Sequence, residues 1–359
     1  MKNLVILGGG YGGMKLLTSI IPHLPYNILV TLIDRTPYHF LKTEYYALAA
    51  GTVSANHIRI PFPEHPQVSF IEGEIAKIDL QHHKISLTNK KTILYDDLII
   101  GLGCEDNYHN IAGADTYTYS IQSIEKSRKT HQKLNQLLPG SKVAIIGAGL
   151  SGVELAAELQ ESRADLHITL FDRGKNILSS YPPRVGKYVE KWFETHQVKI
   201  VRCSKITVIE ENIVCNHGKK EHFDCIIWTA GVKPNQVVQN IDVEKDDKGR
   251  VILTQYHYLP NNEHVFVVGD CASLNKPQSA QLAEEQAEQI ATVLIARWKG
   301  SKLPEKMPEL KLKGILGSLG SKHGFGLVAN TPLTGRVPRL IKFGVLWKDK
   351  SKKKKTFRL

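Results

Sequence analysis

The chain has 359 residues, 42% of them hydrophobic and 23% charged, with a formal net charge of +12. That length exceeds one ordinary core and predicts about two domains of roughly 150 residues each, and the mixed composition excludes a chain that is disordered throughout. The excess of 47 Lys and Arg over 35 Asp and Glu points to an acidic partner: nucleic acid, a membrane surface or an anionic ligand.

The first apolar run, Leu4-Val5-Ile6-Leu7, is short and rich in branched residues, the pattern of a strand buried on both faces. It leads directly into Gly8, Gly10 and Gly13 of a G-x-G-x-x-G loop. The helical spacing of Met14, Leu16, Leu17, Ile20 and Ile21 follows, closed by Pro22 and Pro25. A second strand over 28–33 ends in Asp34, 21 residues after Gly13. The first glycine permits a tight turn, the second a close approach to a pyrophosphate, and the third contact between helix and strand. The helix N-terminus offers free N–H groups to the anion, and Asp34 can accept from ribose hydroxyls. Strand, loop, helix and acid together predict a dinucleotide site.

The same module returns further along. A strand over 142–146 runs into Gly147, Gly149 and Gly152, a helix over 153–159 follows, and a strand over 168–171 ends in Asp172, 20 residues after Gly152. The copies begin 139 residues apart, which predicts two dinucleotide-binding domains. A flavin facing a nicotinamide is the economical pair, because hydride then passes directly between them. An NAD site beside a degenerate copy is the plainer alternative. A carboxylate at Asp172 would bond the adenosine ribose and repel a 2′-phosphate, favouring NADH over NADPH, although Arg173 beside it could reach a phosphate.

The five cysteines, at 104, 203, 215, 225 and 271, form no C-x-x-C pair, and neither they nor the fifteen histidines show metal-ligand spacing. Neither a disulfide framework nor a bound metal is expected. His82-His83 falls in a polar turn and is expected to be exposed. The N-terminal apolar run is too short for a signal peptide, and no stretch reaches the roughly 18–20 apolar residues of a spanning helix, so the chain is expected not to be integral.

With these motifs in place, the sequence resembles the two-dinucleotide-binding flavoprotein reductases and, within them, the type II NADH dehydrogenase (NADH:quinone oxidoreductase) family. The resemblance runs from residue 3 to about residue 330. Pro37-Tyr38-His39-Phe40 and Tyr46-Ala47-Leu48-Ala49-Ala50-Gly51 are similar to the segment beneath the flavin, and the run ending Gly101-Leu102-Gly103 to the exit from the flavin domain. Trp228-Thr229-Ala230-Gly231-Val232 resembles the turn near the nicotinamide, and Val268-Gly269-Asp270 the second flavin motif. The implied fold is α/β, with two Rossmann-like domains. An FAD domain split over 1–110 and 262–310 encloses an NADH domain over 111–261, and a short C-terminal membrane-surface segment follows at 311–359.

The resemblance also implies site residues. FAD is expected at Gly8, Gly10, Gly13, Asp34, Gly103, Asp270, Ala280 and Gln281, and NADH at Gly147, Gly149, Gly152, Asp172 and Gly231. Ala280, Gln281 and Gln286 match an A-Q-x-A-x-Q-Q motif whose helix start faces the flavin and whose glutamines line a quinone pocket. Glu285 replaces the first glutamine of the pair, and Thr43-Glu44 stands where many members carry Pro-Leu, so both departures put acidic groups near the acceptor side. Two catalytic roles are implied. Glu154 approaches the nicotinamide and flavin, against the alternative of a carboxylate that only steadies its helix dipole. Gln286 binds quinone or shuttles its proton, against the alternative of a solvated helix face. Cys104 and Cys271 follow flavin-side motifs, but a redox-active pair is lacking.

The charge is concentrated at the end. From Arg336 onward there are ten Lys or Arg and one Asp, a net of +9, which leaves +3 for the 335 residues before it. Leu340, Ile341, Phe343, Val345, Leu346 and Trp347 lie beside Lys348, Lys350 and Lys352 to Lys355. An apolar strip next to a polybasic run predicts a two-signal anchor to an anionic membrane over 336–359, although Gly344 weakens any helix there. A solvated tail is the alternative; nucleic acid is not expected, because no binding fold accompanies the charge. The combined expectation is a peripheral FAD-dependent NADH dehydrogenase on the cytoplasmic side of the cell membrane. It would pass electrons to a quinone without pumping protons. A soluble acceptor, NADH sensing without turnover, and a homodimer stay open.

Overall fold

The computed structural model describes the backbone of residues 1–274 and 276–355, and side chains as far as residue 346 outside that gap. Lys2–Leu7 is flanked in parallel by Ile28–Asp34 and Asp97–Ile100. Val68–Glu72 extends one side of this sheet and Asn262–Val267 the other, both in parallel, with Tyr258–Leu259 antiparallel at the edge. The expectation of a strand buried on both faces holds, because alternate residues feed two cores. Val5 and Leu7 pack with Ile100 and Val267, while Leu4 and Ile6 pack with Leu16, Leu17 and Ile290.

Five helices position the site: α1 (Tyr11–Ile20), α2 (Tyr45–Ala50), α3 (Leu150–Ser162), α4 (Ala280–Trp298) and α5 (Arg336–Lys355). Leu16, Leu17 and Ile20 of α1 share a buried cluster with Ala287, Ile290 and Leu294 of α4, so chain segments far apart in sequence complete one domain. The second domain is a parallel sheet in the order Tyr119–Ser120, Cys225–Trp228, Lys142–Ile146, His167–Phe171, Lys199–Val201. Both Rossmann-like halves are therefore present, with the second inserted in the first.

The expected boundary at 261 needs correction. Cys104–Asp106, leaving the first domain, pairs antiparallel with Val232–Pro234, returning to it. Beyond that crossing, Val238, Ile241, Val251 and Leu259 are buried with Val5 and Leu7, so the inserted domain ends near Val232. The returning segment carries its apolar residues in short separated runs, such as Val237-Val238 and Val251-Ile252-Leu253, without a sustained strand or helix period.

After the antiparallel strands Gly314–Leu319, His323–Val328 and Thr331–Gly335, α5 runs on for 20 residues. The weakening expected at Gly344 does not break it. Pro338 and Lys342 are buried and Leu346 is half-buried, a spacing of four that marks one inward face. The side chains of Trp347, Lys348, Lys350 and Lys352 to Lys355, and the chain over 356–359, lie outside the described residues.

Candidate active site

Each glycine loop follows its strand in the way the motif requires. Gly8 has φ +94°, and a Cβ on Gly13 would collide with the Gly8 carbonyl oxygen, so the first and third positions tolerate only glycine. A Cβ on Gly10 would meet nothing within 4 Å, which leaves the helix N-terminus open above it. The second loop repeats the device: Gly147 has φ +112°, Gly152 sits against the Gly147 carbonyl, and Gly149 is open. These are cradles a pyrophosphate fits.

The two acids are held alike. Asp34 Oδ2 accepts the Gly9 N–H at 2.7 Å, and Oδ1 accepts the Thr36 N–H at 2.9 Å. Asp172 Oδ2 accepts the Ala148 N–H at 2.9 Å, and Oδ1 the Gly174 N–H at 2.7 Å. Each carboxylate is thereby fixed at the end of its strand with lone pairs left for ribose hydroxyls.

A cleft of about 1190 Å³ opens beside the first loop. Gly8, Gly10, Asp34, Gly103, Asp270, Ala280 and Gln281 line it, and Glu154 and Gly231 reach it from the second domain. Gly13, Gly147, Gly149, Gly152 and Asp172 are not among its walls; the first supports its loop from below and the others form the second cradle. The N-terminus of α4, capped by the Ser279 hydroxyl accepting from the Leu282 N–H, faces the cleft, where its dipole suits an electron-rich group.

Asp270 anchors the floor. Its Oδ2 accepts the Cys104 S–H at 2.8 Å and lies 4.0 Å from Lys42 Nζ, while its carbonyl accepts from Gln278 Nε2. Burial pushes the Cys104 thiol up to about 12, against the pull of Lys42, so the sulfur stays protonated and acts as a hydrogen-bond donor. Burial works against the Lys42 ammonium, yet its hydrogen bond to Cys104 Sγ and the Asp270 carboxylate hold it above the usual lysine value. Cys271 donates to the Gly103 carbonyl at 2.9 Å and is buried. All five cysteines are free, and these two serve as packing and hydrogen-bonding groups.

Across the cleft, Glu154 is buried on α3 and accepts at Oε1 from the Ser318 N–H at 2.8 Å and from Lys342 Nζ at 2.5 Å. Lys342 also donates to the Tyr46 hydroxyl at 3.1 Å, and Tyr46 donates to Ser318 Oγ at 3.1 Å. Glu154 is thus a paired residue of the cleft wall. Burial opposes the Lys342 charge, but Glu154, Tyr46 and Glu44 raise its pKa well above the usual lysine range, so its resting form is the ammonium. Sequence reasoning missed Lys342 by counting it with the basic tail; the four-residue spacing Pro338, Lys342, Leu346 was the available signal.

Two acceptor-side expectations change. Gln286 is fully buried and turned away from the cleft. Its Oε1 accepts the Gly269 N–H at 2.9 Å, and its Nε2 donates to the Val267 carbonyl at 3.0 Å and to His257 Nδ1 at 3.3 Å. It braces the turn that carries Asp270; it is neither a solvated face nor a cleft residue. Glu285 does reach the cleft, but its Oε2 is engaged by the Lys311 N–H at 2.6 Å, as Gln281 Oε1 is by the Lys313 N–H at 3.2 Å.

Two parallel-sheet domains with matching phosphate cradles, and a cleft that both domains line, define an NADH-dependent flavin oxidoreductase that takes FAD and NADH. The chain belongs to the pyridine nucleotide-disulphide oxidoreductase family, which it matches over residues 2–287. It is 59% identical over 348 residues to the NADH dehydrogenase-like protein YutJ of Bacillus subtilis, covering 97% of this chain and 98% of that protein. The type II NADH:quinone oxidoreductase of Staphylococcus haemolyticus is 25% identical over 378 residues, covering 95% and 93%. The structure of NDH2 from Plasmodium falciparum in complex with NADH shares the fold at a TM-score of 0.86 and 16% identity, covering 99% of this chain and 97% of that one.

Proposed function

We propose that the protein oxidises NADH through FAD and reduces a membrane quinone without pumping protons, working at the surface of an anionic membrane leaflet. When bound, FAD accepts hydride from NADH and passes two electrons to a second substrate. The chain's own part is to place the two rings and the acceptor. Gly8, Gly10, Gly13, Asp34, Gly103, Asp270, Ala280 and Gln281 would hold FAD; Gly147, Gly149, Gly152, Asp172 and Gly231 would hold NADH. Glu154, fixed by Lys342, lines the cleft from α3 and keeps that wall polar.

The observation that carries the quinone reading is the two-sided role of α5. Among its described side chains, Lys342 points inward and is buried, while Leu340 is 69% and Phe343 63% exposed. Ile341 and Val345 line the cleft and also belong to the exposed apolar stripe with Val337 and Leu340. The cleft wall therefore continues into an outer surface that suits lipid, a route for a lipophilic acceptor. The described residues include no helix long and apolar enough to cross a membrane.

An acceptor screen tests this reading. NADH oxidation by the purified FAD-loaded protein is measured with water-soluble quinone analogues, ferricyanide, oxygen and a ferredoxin. Efficient turnover with quinones supports it, and turnover confined to a protein carrier replaces it with the soluble-acceptor reading.

A further inference from the structure

Glu44 is one of the residues at which this chain departs from the family pattern, and it is buried on the short turn Lys42–Glu44 that leads into α2. Its Oε1 lies 3.9 Å from Lys342 Nζ and has no hydrogen-bond partner. The charged and titratable groups that face it are Lys342 and Arg339 of α5, Glu154 and Glu158 of α3, Tyr46 of α2 and Tyr11 of α1. Glu158 accepts the Thr52 hydroxyl at Oε1, at 2.6 Å, and its Oε2 has no partner.

Three carboxyl groups therefore crowd around one buried ammonium and one half-buried guanidinium. Ionising all three would leave buried negative charge without close compensation, which a low-dielectric interior opposes. Glu154 has the Lys342 ammonium and the Ser318 N–H at bonding distance, and Glu158 has the Thr52 hydroxyl. Glu44 has the weakest contacts of the three, so a retained proton settles there.

We propose that Glu44 keeps a proton at neutral pH and supplies it through Lys342 to the acceptor end of the cleft. Glu44 is then a positioning residue that acts through Lys342 in the reduction of the acceptor. The destination of the proton rests on the quinone reading; its residence on Glu44 does not. The net reaction is NADH + H⁺ + quinone → NAD⁺ + quinol. Hydride accounts for two electrons and one of the two protons of the quinol, so one proton per turnover must come from the surroundings. Lys342 lines the cleft, and the 3.9 Å gap to Glu44 must close to hydrogen-bonding distance for transfer. In one concerted step a Lys342 N–H bond breaks as a quinone O–H bond forms, and the Glu44 O–H bond breaks to restore the ammonium, leaving Glu44 as the carboxylate. Glu44 recovers its proton from solvent between turnovers. Burial, opposed by Lys342, lifts the Glu44 carboxyl from its ordinary 4.5 to about 7, which agrees with this assignment.

The test combines infrared and kinetic measurements on the full FAD-loaded chain. Infrared difference spectra between pH 6 and pH 8, taken in H₂O and D₂O, should show a protonated-carboxyl band that fades with a midpoint near 7, and Glu44→Gln should remove it. Quinone-dependent turnover should fall as pH rises through about 7. Glu44→Gln should abolish that inflection and lower turnover at pH 6 by about a hundredfold or more, and Glu44→Asp should restore the inflection. Absence of a titrating carboxyl band in the wild-type protein, or its persistence in Glu44→Gln, overturns the proposal; the wild-type spectra decide this even if the variant misfolds. A titrating Glu44 band in an enzyme with no quinone turnover overturns the transfer step and the quinone reading, while the stored proton stands.

Discussion

Lys342 Nζ lies 2.5 Å from Glu154 Oε1, joining two residues 188 positions apart and tying the C-terminal helix to the first turns of α3. Both side chains are buried, and Tyr46 stacks its ring 4.6 Å from the ammonium. The helix that presents apolar groups outward is therefore fastened inward by a charge.

Unfastening it should be costly. Lys342→Met strands Glu154 as a buried carboxylate, for which about 3–5 kcal/mol of stability is the usual loss. Combining it with Glu154→Gln removes the stranded charge as well. Thermal unfolding of the two single variants and the double variant checks this. The double variant should be more stable than Lys342→Met alone, and strictly additive losses would contradict the pairing.

The pH dependence of stability has a definite sign. Burial raises the Glu44 carboxyl from 4.5 to about 7, so between those values the folded chain holds a proton that the unfolded chain has released. Stability from this group is then greatest below about 4.5, falls as pH rises through that window and levels off above 7. Denaturant melts from pH 4.5 to 8 should show this component, and Glu44→Gln should lack it.

The two open glycines and the two packed ones should respond differently. Gly13→Ala drives a Cβ into the Gly8 carbonyl, so the apoprotein itself should lose stability. Gly10→Ala meets no protein atom, so apoprotein stability should change by less than about 1 kcal/mol while FAD retention drops. Melting curves with and without FAD, together with flavin content after gel filtration, separate the two. Equal FAD retention by Gly10→Ala and wild type would remove Gly10 from the cradle.

The membrane face is best tested by point changes, because truncation at Arg336 would also pull Lys342 from Glu154. Leu340→Glu with Phe343→Glu alters only the outward face. Vesicles containing anionic lipid should co-sediment with the wild-type chain more strongly at low salt than at high salt, since each basic residue near the surface adds about 1 kcal/mol. The double variant should bind at least about tenfold more weakly, a loss of about 1.4 kcal/mol. Equal binding would show that the stripe is not the contact.

Both dinucleotide modules were legible in the sequence because backbone geometry dictates glycine at Gly8, Gly13, Gly147 and Gly152, and a strand end dictates where Asp34 and Asp172 stand. The side-chain direction of Gln286 was not legible. Its place in a motif aligned it with a quinone pocket, whereas the Gly269 N–H and the Val267 carbonyl draw it the other way. Lys342 was hidden by composition, since one buried lysine among ten basic residues looks like part of a solvated tail. The boundary near Val232 was missed because Val238, Ile241 and Val251 join the first core from a segment without a regular period.

The most direct measurement of the central claim is a single-turnover reoxidation. The FAD-loaded protein is reduced anaerobically with one equivalent of NADH and mixed rapidly with a soluble quinone analogue, and flavin absorbance is followed. The expected result is recovery of oxidised absorbance at a rate no slower than steady-state turnover, with one quinol formed per NADH consumed. Absorbance that stays bleached in the presence of quinone, yet recovers with a protein carrier, would contradict quinone as the acceptor.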